Sequence, residues 1–341
     1  MLETGSSDKL PFFLRDFSLG MDVLGYRTDE IFTPRLDPVM SARSICAFQM
    51  FTGQDAVIGC THSPAFIIEQ FGGLMRYPSD KIPVPVSRPL NGITDFSSFD
   101  MIFGEQMESA FQSYNIVKDD MSGIADVVGN ITGPLTKASV LAGAETISMM
   151  MESDADVLHD MLRFCTEFTY RIIDRLVDDG TVDSFLIAAA TDNPDLFGFE
   201  NYGRFSSPYV KDICRRIKDS GYTVVYHPHG VFVSPEHDHS DSLLSMDIDG
   251  YHFGENNDPM LLSKAFGNKT CLLGGTDIVP TLLSDENKVI EETERYVDVL
   301  SDNRYIFMAS CSLSRGVPLN NVKAMCDTVK KLRDCRNRSG N

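Results

Sequence analysis

The fold class predicted by this sequence is α/β, a (β/α)8 TIM barrel, and three observations predict it. Short apolar runs ending in Gly, Asn, Asp, His or Cys recur along the chain. Longer segments of helical period separate them, as in repeated strand-helix units. Eight such runs fit in 341 residues, a length at which α/β barrels form as one domain. We expect one barrel over residues 1–341 with an insertion at about 60–100.

The first run, 11–14, holds Phe12, Phe13 and Leu14 and leads into Arg15 and Asp16. The second is 55–59. Residues 60–100 then carry Pro64, Gly72, Gly73, Pro78, Pro83, Pro85 and Pro89. So many breakers imply a long loop able to wall the barrel mouth, with a short hairpin around 73–86. The remaining runs are 125–130, 184–190, 223–227, 250–253, 270–274 and 305–310. Helical segments at 38–51, 101–114, 154–179, 208–220, 240–246, 259–266 and 286–300 lie between the runs, and 319–336 follows the last. The clearest is 154–179, where Val157, Met161, Phe164, Cys165 and Phe168 recur three or four apart and Gly180 ends the helix.

Composition narrows the partners. With 30 basic and 49 acidic residues the formal charge is −19, which opposes extended contact with phosphate backbones or anionic lipid. We therefore expect no nucleic acid and no membrane partner. No window reaches the roughly 20 apolar residues of a membrane span. The start, Met1-Leu2-Glu3-Thr4-Gly5, has no basic region followed by an apolar stretch. The 8 cysteines stand singly without a close CxxC pair, so a reducing, cytoplasmic setting is expected.

Barrel chemistry collects where strands run into the following loops. His227 and His229 end the fifth run two residues apart, which places them on one face if the strand continues through them. Cys311 closes the eighth run. Two imidazoles and a thiolate could hold a catalytic metal with one position open. The same residues also read as a hydrogen-bonded core histidine, a loop histidine and a small buried apolar group.

Other strand ends are more ambiguous. Asp192 and Asp195 could bind substrate, orient a histidine or act as acid and base, or cap the next turn. Glu255 and Asp277 sit in loops where function and turn chemistry compete. Arg15 could bind an anion of the substrate or pair with Asp16. The cluster Glu236-His237-Asp238-His239-Ser240-Asp241 reads as a solvated loop and a helix cap. No Gly-rich phosphate loop stands out, and no G-x-S-x-G motif is present.

Taken together, the strand ends resemble the uroporphyrinogen decarboxylase superfamily, and within it the corrinoid-dependent methyltransferases. Gly133-Pro134-Leu135-Thr136 resembles the family's Gly-Pro-Phe-Thr segment, and Pro194-Asp195-Leu196 with Pro208-Tyr209 its strand-four loop. His227-Pro228-His229-Gly230 stands where the methyltransferases have His-x-Cys-Gly. Cys311-Ser312-Leu313, continued by Pro318-Leu319-Asn320-Asn321, resembles their Cys-Gly-Leu…Pro-Leu-Glu-Asn segment. The likeness runs from Pro11 to Lys331.

It implies a barrel with Zn2+ at its mouth on His227, His229 and Cys311, a corrinoid (cobalamin) carried by a partner protein, and a small methylated or methyl-accepting substrate. Two departures matter. His229 replaces a usual cysteine, and the first strand lacks the decarboxylases' arginine-rich motif, which argues against porphyrinogen decarboxylation. One thiolate instead of two leaves the zinc centre with a net positive charge and makes it a stronger Lewis acid. That favours an oxygen leaving group over a nucleophilic thiolate. The expectation is therefore demethylation of a methyl ether, with Asp192, Asp195 or Glu255 protonating the oxygen or holding substrate, and Phe197, Phe199, Tyr202, Tyr226, Phe232 and Phe253 as candidate pocket walls. The alternatives are methylation of a thiol such as coenzyme M or of a folate-like acceptor, and a non-catalytic barrel that binds a tetrapyrrole or corrinoid.

Overall fold

The computed structural model describes residues 10–33, 35–63 and 65–339. Seven strands form one parallel sheet: β1 (Ala56–Ile58), β4 (Asp126–Thr132), β5 (Ser184–Ala189), β6 (Val224–Pro228), β7 (Gly250–His252), β8 (Cys271–Gly274) and β9 (Tyr305–Phe307), paired in that order. The two others, β2 (Met75–Arg76) and β3 (Val84–Pro85), make a separate antiparallel hairpin within the expected insertion. Strand residues are mostly buried, and all five of β6 are. Such continuous burial is what a sheet covered on both faces requires.

Residues 12 and 13 close the ring. Phe12 bridges Phe307 of β9 and Phe13 bridges Ala56 of β1, both in parallel. Phe13 N–H donates to Phe307 O at 3.0 Å, and Asp55 N–H donates to Phe12 O at 2.9 Å. The first apolar run is thus the eighth stave of a TIM barrel. It pairs by single bridges because two of its amides go to side chains. Phe12 N–H donates to Asp55 Oδ2 at 2.9 Å, and Leu14 N–H donates to Gln54 Oε1 at 2.6 Å.

Helix boundaries follow local chemistry. The helix Pro38–Thr52 starts on an Asp37 carboxylate that accepts from Val39 N–H and Met40 N–H, with Pro38 in the first turn. The helix Glu105–Asp120 begins later than the expected 101. Gln70 holds the preceding residues out of the helix, with Nε2 donating to Ile102 O and Oε1 accepting from Gly104 N–H. Helices at Pro134–Ala142, Ala144–Ser153 and Pro194–Phe205 were not expected. Gly143 at φ 103° and Gly198 at φ 77° interrupt their period, which hides it from a pattern search. The helix Ala155–Asp178 agrees with expectation, and Phe71 of the insertion packs against its Phe164 and Phe168 at 5.1 and 4.9 Å. No helix among the described residues is long and apolar enough to cross a membrane.

Candidate metal centre

β6 carries His227 at its carboxyl end, and His229 follows one residue past the strand. Beyond β9 the chain runs between two neighbours, with Ser310 N–H donating to Thr276 O and Leu313 N–H donating to Arg15 O. That path delivers Cys311. Its Sγ lies 3.5 Å from His227 Nε2 and 3.6 Å from His229 Nε2. Among the described residues, these three form a group whose ligand atoms all lie within 4.8 Å of one another.

The structure also sets the tautomer of His227. Its Nδ1 is 3.0 Å from the His252 carbonyl, which can only accept. Nδ1 therefore bears the proton, and the Nε2 lone pair is left facing Cys311. The His252 ring stacks on His227 at 4.0 Å, and its Nε2 donates to Ala309 O at 2.9 Å. His252 thus couples both sides of the cluster, as groups behind metal ligands do. The sequence reading does not single it out, although it is one more histidine at the end of an apolar run.

Charges suit a metal. Burial pushes the Cys311 thiol up, but the hydrogen bond from His229 and the Arg15 guanidinium outweigh it and bring the thiol down to about 6. Burial, then the charges of Arg15 and His229, hold His227 well below the usual imidazole range. A neutral imidazole and an ionised thiolate are the forms that bind metal.

Arg15 is 3% exposed. Its Nη2 lies 3.8 Å from Cys311 Sγ, and its Nε and Nη1 have no partner. It does not pair with Asp16, whose carboxylate accepts from Leu19 N–H and Gly20 N–H. Burial, opposed by these bonds, raises Asp16 to about 7.

A cavity of about 200 Å³ opens beside the cluster. Its lining includes Arg15, His62, Asn130, His227, His229 and Cys311 together with the apolar Phe66, Met107, Phe111, Ile131, Ile172 and Leu176. None of the described residues lining it is an aspartate or glutamate.

The expected acids lie elsewhere. Asp192 is fully buried, and its Oδ2 accepts from Ser206 Oγ–H and, at 2.8 Å, from Tyr226 OH. Its backbone O accepts from His229 N–H at 3.2 Å, so it braces the loop that carries His229. Asp195 is exposed and accepts from Val231 N–H at 3.0 Å. Glu255 Oε1 accepts from Val279 N–H at 3.4 Å. Asp277 N–H donates to Glu292 Oε2 at 3.0 Å, and burial, then Glu292 and Glu255, raise its carboxyl to about 6. None of the four lines the cavity.

Nor do the expected aromatic walls. Phe199, Tyr202 and Phe232 pack on one another at 5.2 to 6.4 Å, and Phe197, Tyr226 and Phe253 are likewise absent from the lining. Phe17, Phe66, Phe111 and Tyr114 take that place. Phe111 and Tyr114 lie on a helix face that reads in sequence as ordinary core.

A (β/α)8 barrel with two imidazoles and a thiolate converging at its strand ends is the class that fold and site define. The chain belongs to the Uroporphyrinogen decarboxylase (URO-D) family, whose model matches residues 37–332. It is 23% identical over 209 residues to the methylcobamide:CoM methyltransferase MtbA of Methanosarcina mazei, a match covering 61% of this chain and 58% of that protein. In fold it is similar to a methyltransferase from Methanosarcina mazei, with TM-score 0.79 and 20% identity over 95% of this chain and 94% of the other. A B12-independent methionine synthase from Shewanella sp. aligns with TM-score 0.55 and 14% identity over 86% of each chain.

Proposed function

We propose that this chain is a zinc-dependent methyltransferase that moves a methyl group between a small substrate in the cavity and the cobalt of a corrinoid on a separate protein, with a methyl ether as donor. The observation that carries this reading is the convergence of His227, His229 and Cys311 on one point beside the cavity. The likeness to a methylcobamide:CoM methyltransferase supports it.

The donor set suits zinc, which takes imidazole nitrogen and thiolate sulfur together. Zinc held there would supply a Lewis acid for oxygen or sulfur of the substrate. The chain's own residues set the charge. His227 is neutral, the single thiolate is Cys311, and the Arg15 guanidinium at 3.8 Å draws on that thiolate. This positive surrounding favours a leaving oxygen over a reactive thiolate. The apolar part of the cavity would exclude water from the reacting methyl. Cys46, Cys60, Cys165, Cys214, Cys271, Cys311 and Cys326 form no disulfide, which supports a cytoplasmic setting.

A second reading, transfer from methylcorrinoid to a thiol, draws on the name of the same relative. The zinc-loaded protein, given cob(I)alamin and methoxyaromatics in one assay and methylcobalamin and thiols in another, separates the two. Formation of methylcobalamin with release of a phenol is expected. Thiol methylation alone would overturn the ether assignment, and no transfer in either assay would favour a binding barrel without chemistry.

A further inference from the structure

We propose that His62 is the hydrogen-bond donor by which the cavity selects its ligand, an apolar ring carrying a neutral carbonyl or hydroxyl oxygen, and that Asn130 is the positioning residue that keeps His62 in the donating tautomer. This rests on the function proposed above only in calling the ligand a substrate; the donor is argued from the cavity itself.

The first observation is an imidazole outside the metal cluster. Of the histidines lining the cavity, His227 and His229 converge on Cys311, whereas His62 does not. Its place is fixed from several sides. His62 N–H donates to Phe17 O at 3.1 Å. Its ring lies 4.3 Å from the Phe17 ring, and the Phe66 ring meets it edge-on at 6.4 Å. A ring held in this way presents its nitrogens in set directions, as a selective contact requires.

The second observation is Asn130, on β4, which decides where the imidazole proton sits. Its Nδ2 is 3.4 Å from His62 Nδ1, and an amide nitrogen can only donate. Nδ1 therefore accepts, and Nε2 bears the hydrogen. Tyr114 steadies Asn130 in turn, its OH accepting from Asn130 N–H at 2.9 Å. Desolvation, then the charge of Arg15, lowers His62 to about 4, so at neutral pH the ring offers one donor and no charge. Among the described residues nothing accepts from Nε2, and none of those lining the cavity is an aspartate or glutamate that could. Asn130 Oδ1 is buried and without a partner in the same cavity. An anion brought here would face that oxygen, whereas a hydroxyl can accept from His62 and donate to Asn130. Phe17, Phe66, Phe111 and Ile131 also line the cavity, and such walls suit an apolar ring.

Calorimetric titration of the zinc-loaded full chain without any corrinoid tests this independently of methyl transfer. The probes, indane, 1-indanone and 1-indanol, share one apolar body and differ in the oxygen. Indanone should bind about five- to tenfold more tightly than indane, and indanol at least as tightly as indanone. His62→Phe keeps a ring beside Phe17 and should bring the affinities for indanone and indane together. Nitrogen-15 NMR of the histidine rings should find His62 protonated on Nε2 at pH 7, and Asn130→Leu should shift the population toward Nδ1. Equal affinity of the wild type for indane and indanone, no binding of any probe, or a wild-type His62 protonated on Nδ1 would overturn the proposal even if neither variant folds. A preference for indanone that survives in folded His62→Phe would overturn it too. Methyl transfer without selective binding would sink the donor alone, whereas selective binding with no transfer in any assay would sink the proposed function alone.

Discussion

The His252 carbonyl accepts the Nδ1 proton of His227 at 3.0 Å while the two rings stack at 4.0 Å. One residue thereby fixes both the tautomer and the plane of a candidate ligand. Its own Nε2 reaches Ala309 O at 2.9 Å, two residues before Cys311.

Replacing the His252 ring by a phenyl ring keeps a stacking surface and removes the bond to Ala309 O. In His252→Phe, zinc affinity should fall about 10- to 100-fold, and stability by about 1–2 kcal/mol as a buried acceptor loses its donor. Competition with a chromophoric chelator and urea unfolding measure the two effects. Unchanged zinc affinity would show that His252 does not position the cluster.

Metal analysis should find about one zinc per chain, as a single three-ligand site requires. His229→Ala and Cys311→Ala should each lose it while remaining folded, and a chelator should lower the wild-type Tm by removing a ligand of the native state. A well-folded wild type without bound zinc after incubation with the metal would rule out the centre.

Asp277 predicts a pH dependence of stability. Its folded pKa of about 6 lies above the ordinary carboxyl value of 3.8, so the folded state binds its proton more tightly than the unfolded chain. The favourable contribution is full below about 4 and is lost as pH rises through about 6. Asp277→Asn should match the wild type near pH 4 and exceed it at pH 7.5 by about 1 kcal/mol, discounted for partial solvent screening. Urea unfolding at both pH values decides it, and a constant difference between them would contradict the assignment.

Closure of the barrel depends on Asp55. Its carboxylate accepts from Phe12 N–H at 2.9 Å and from Arg333 Nη1 at 3.2 Å. Asp55→Ala leaves a buried amide unanswered, so a loss of about 1–3 kcal/mol is expected. Hydrogen exchange at Phe12 and Phe13 should quicken by more than exchange within β5. An equal rise in both strands would place the effect on global unfolding instead.

Strands were legible because each is a short apolar run with a breaker after it, a signal contained in a few neighbouring residues. The run at 11–14 carries that same signal, although in space it pairs only by bridges. His227, His229 and Cys311 could be named because strand ends in a barrel share one face. Asp192, Asp195, Glu255 and Asp277 also stand at strand ends, yet none of them lines the cavity. An acid at a strand end is equally suited to bracing the loop that begins there, and bonds such as Val231 N–H to Asp195 show that use.

The sequence by itself determined the succession of strands and helices, the acidic charge and the residue types at each strand end, because periodicity and capping act over a few positions. Only the tertiary structure decided which of those residues meet. Cys311 and His227 are 84 positions apart, and Arg15 and Cys311 are 296 apart. Their distances of 3.5 and 3.8 Å depend on how each strand registers on the next and on the single bridges that close the ring. The same long-range register chose Phe111 over Phe199 as a cavity wall and left Arg15 buried with two unanswered donors, which no local pattern encodes.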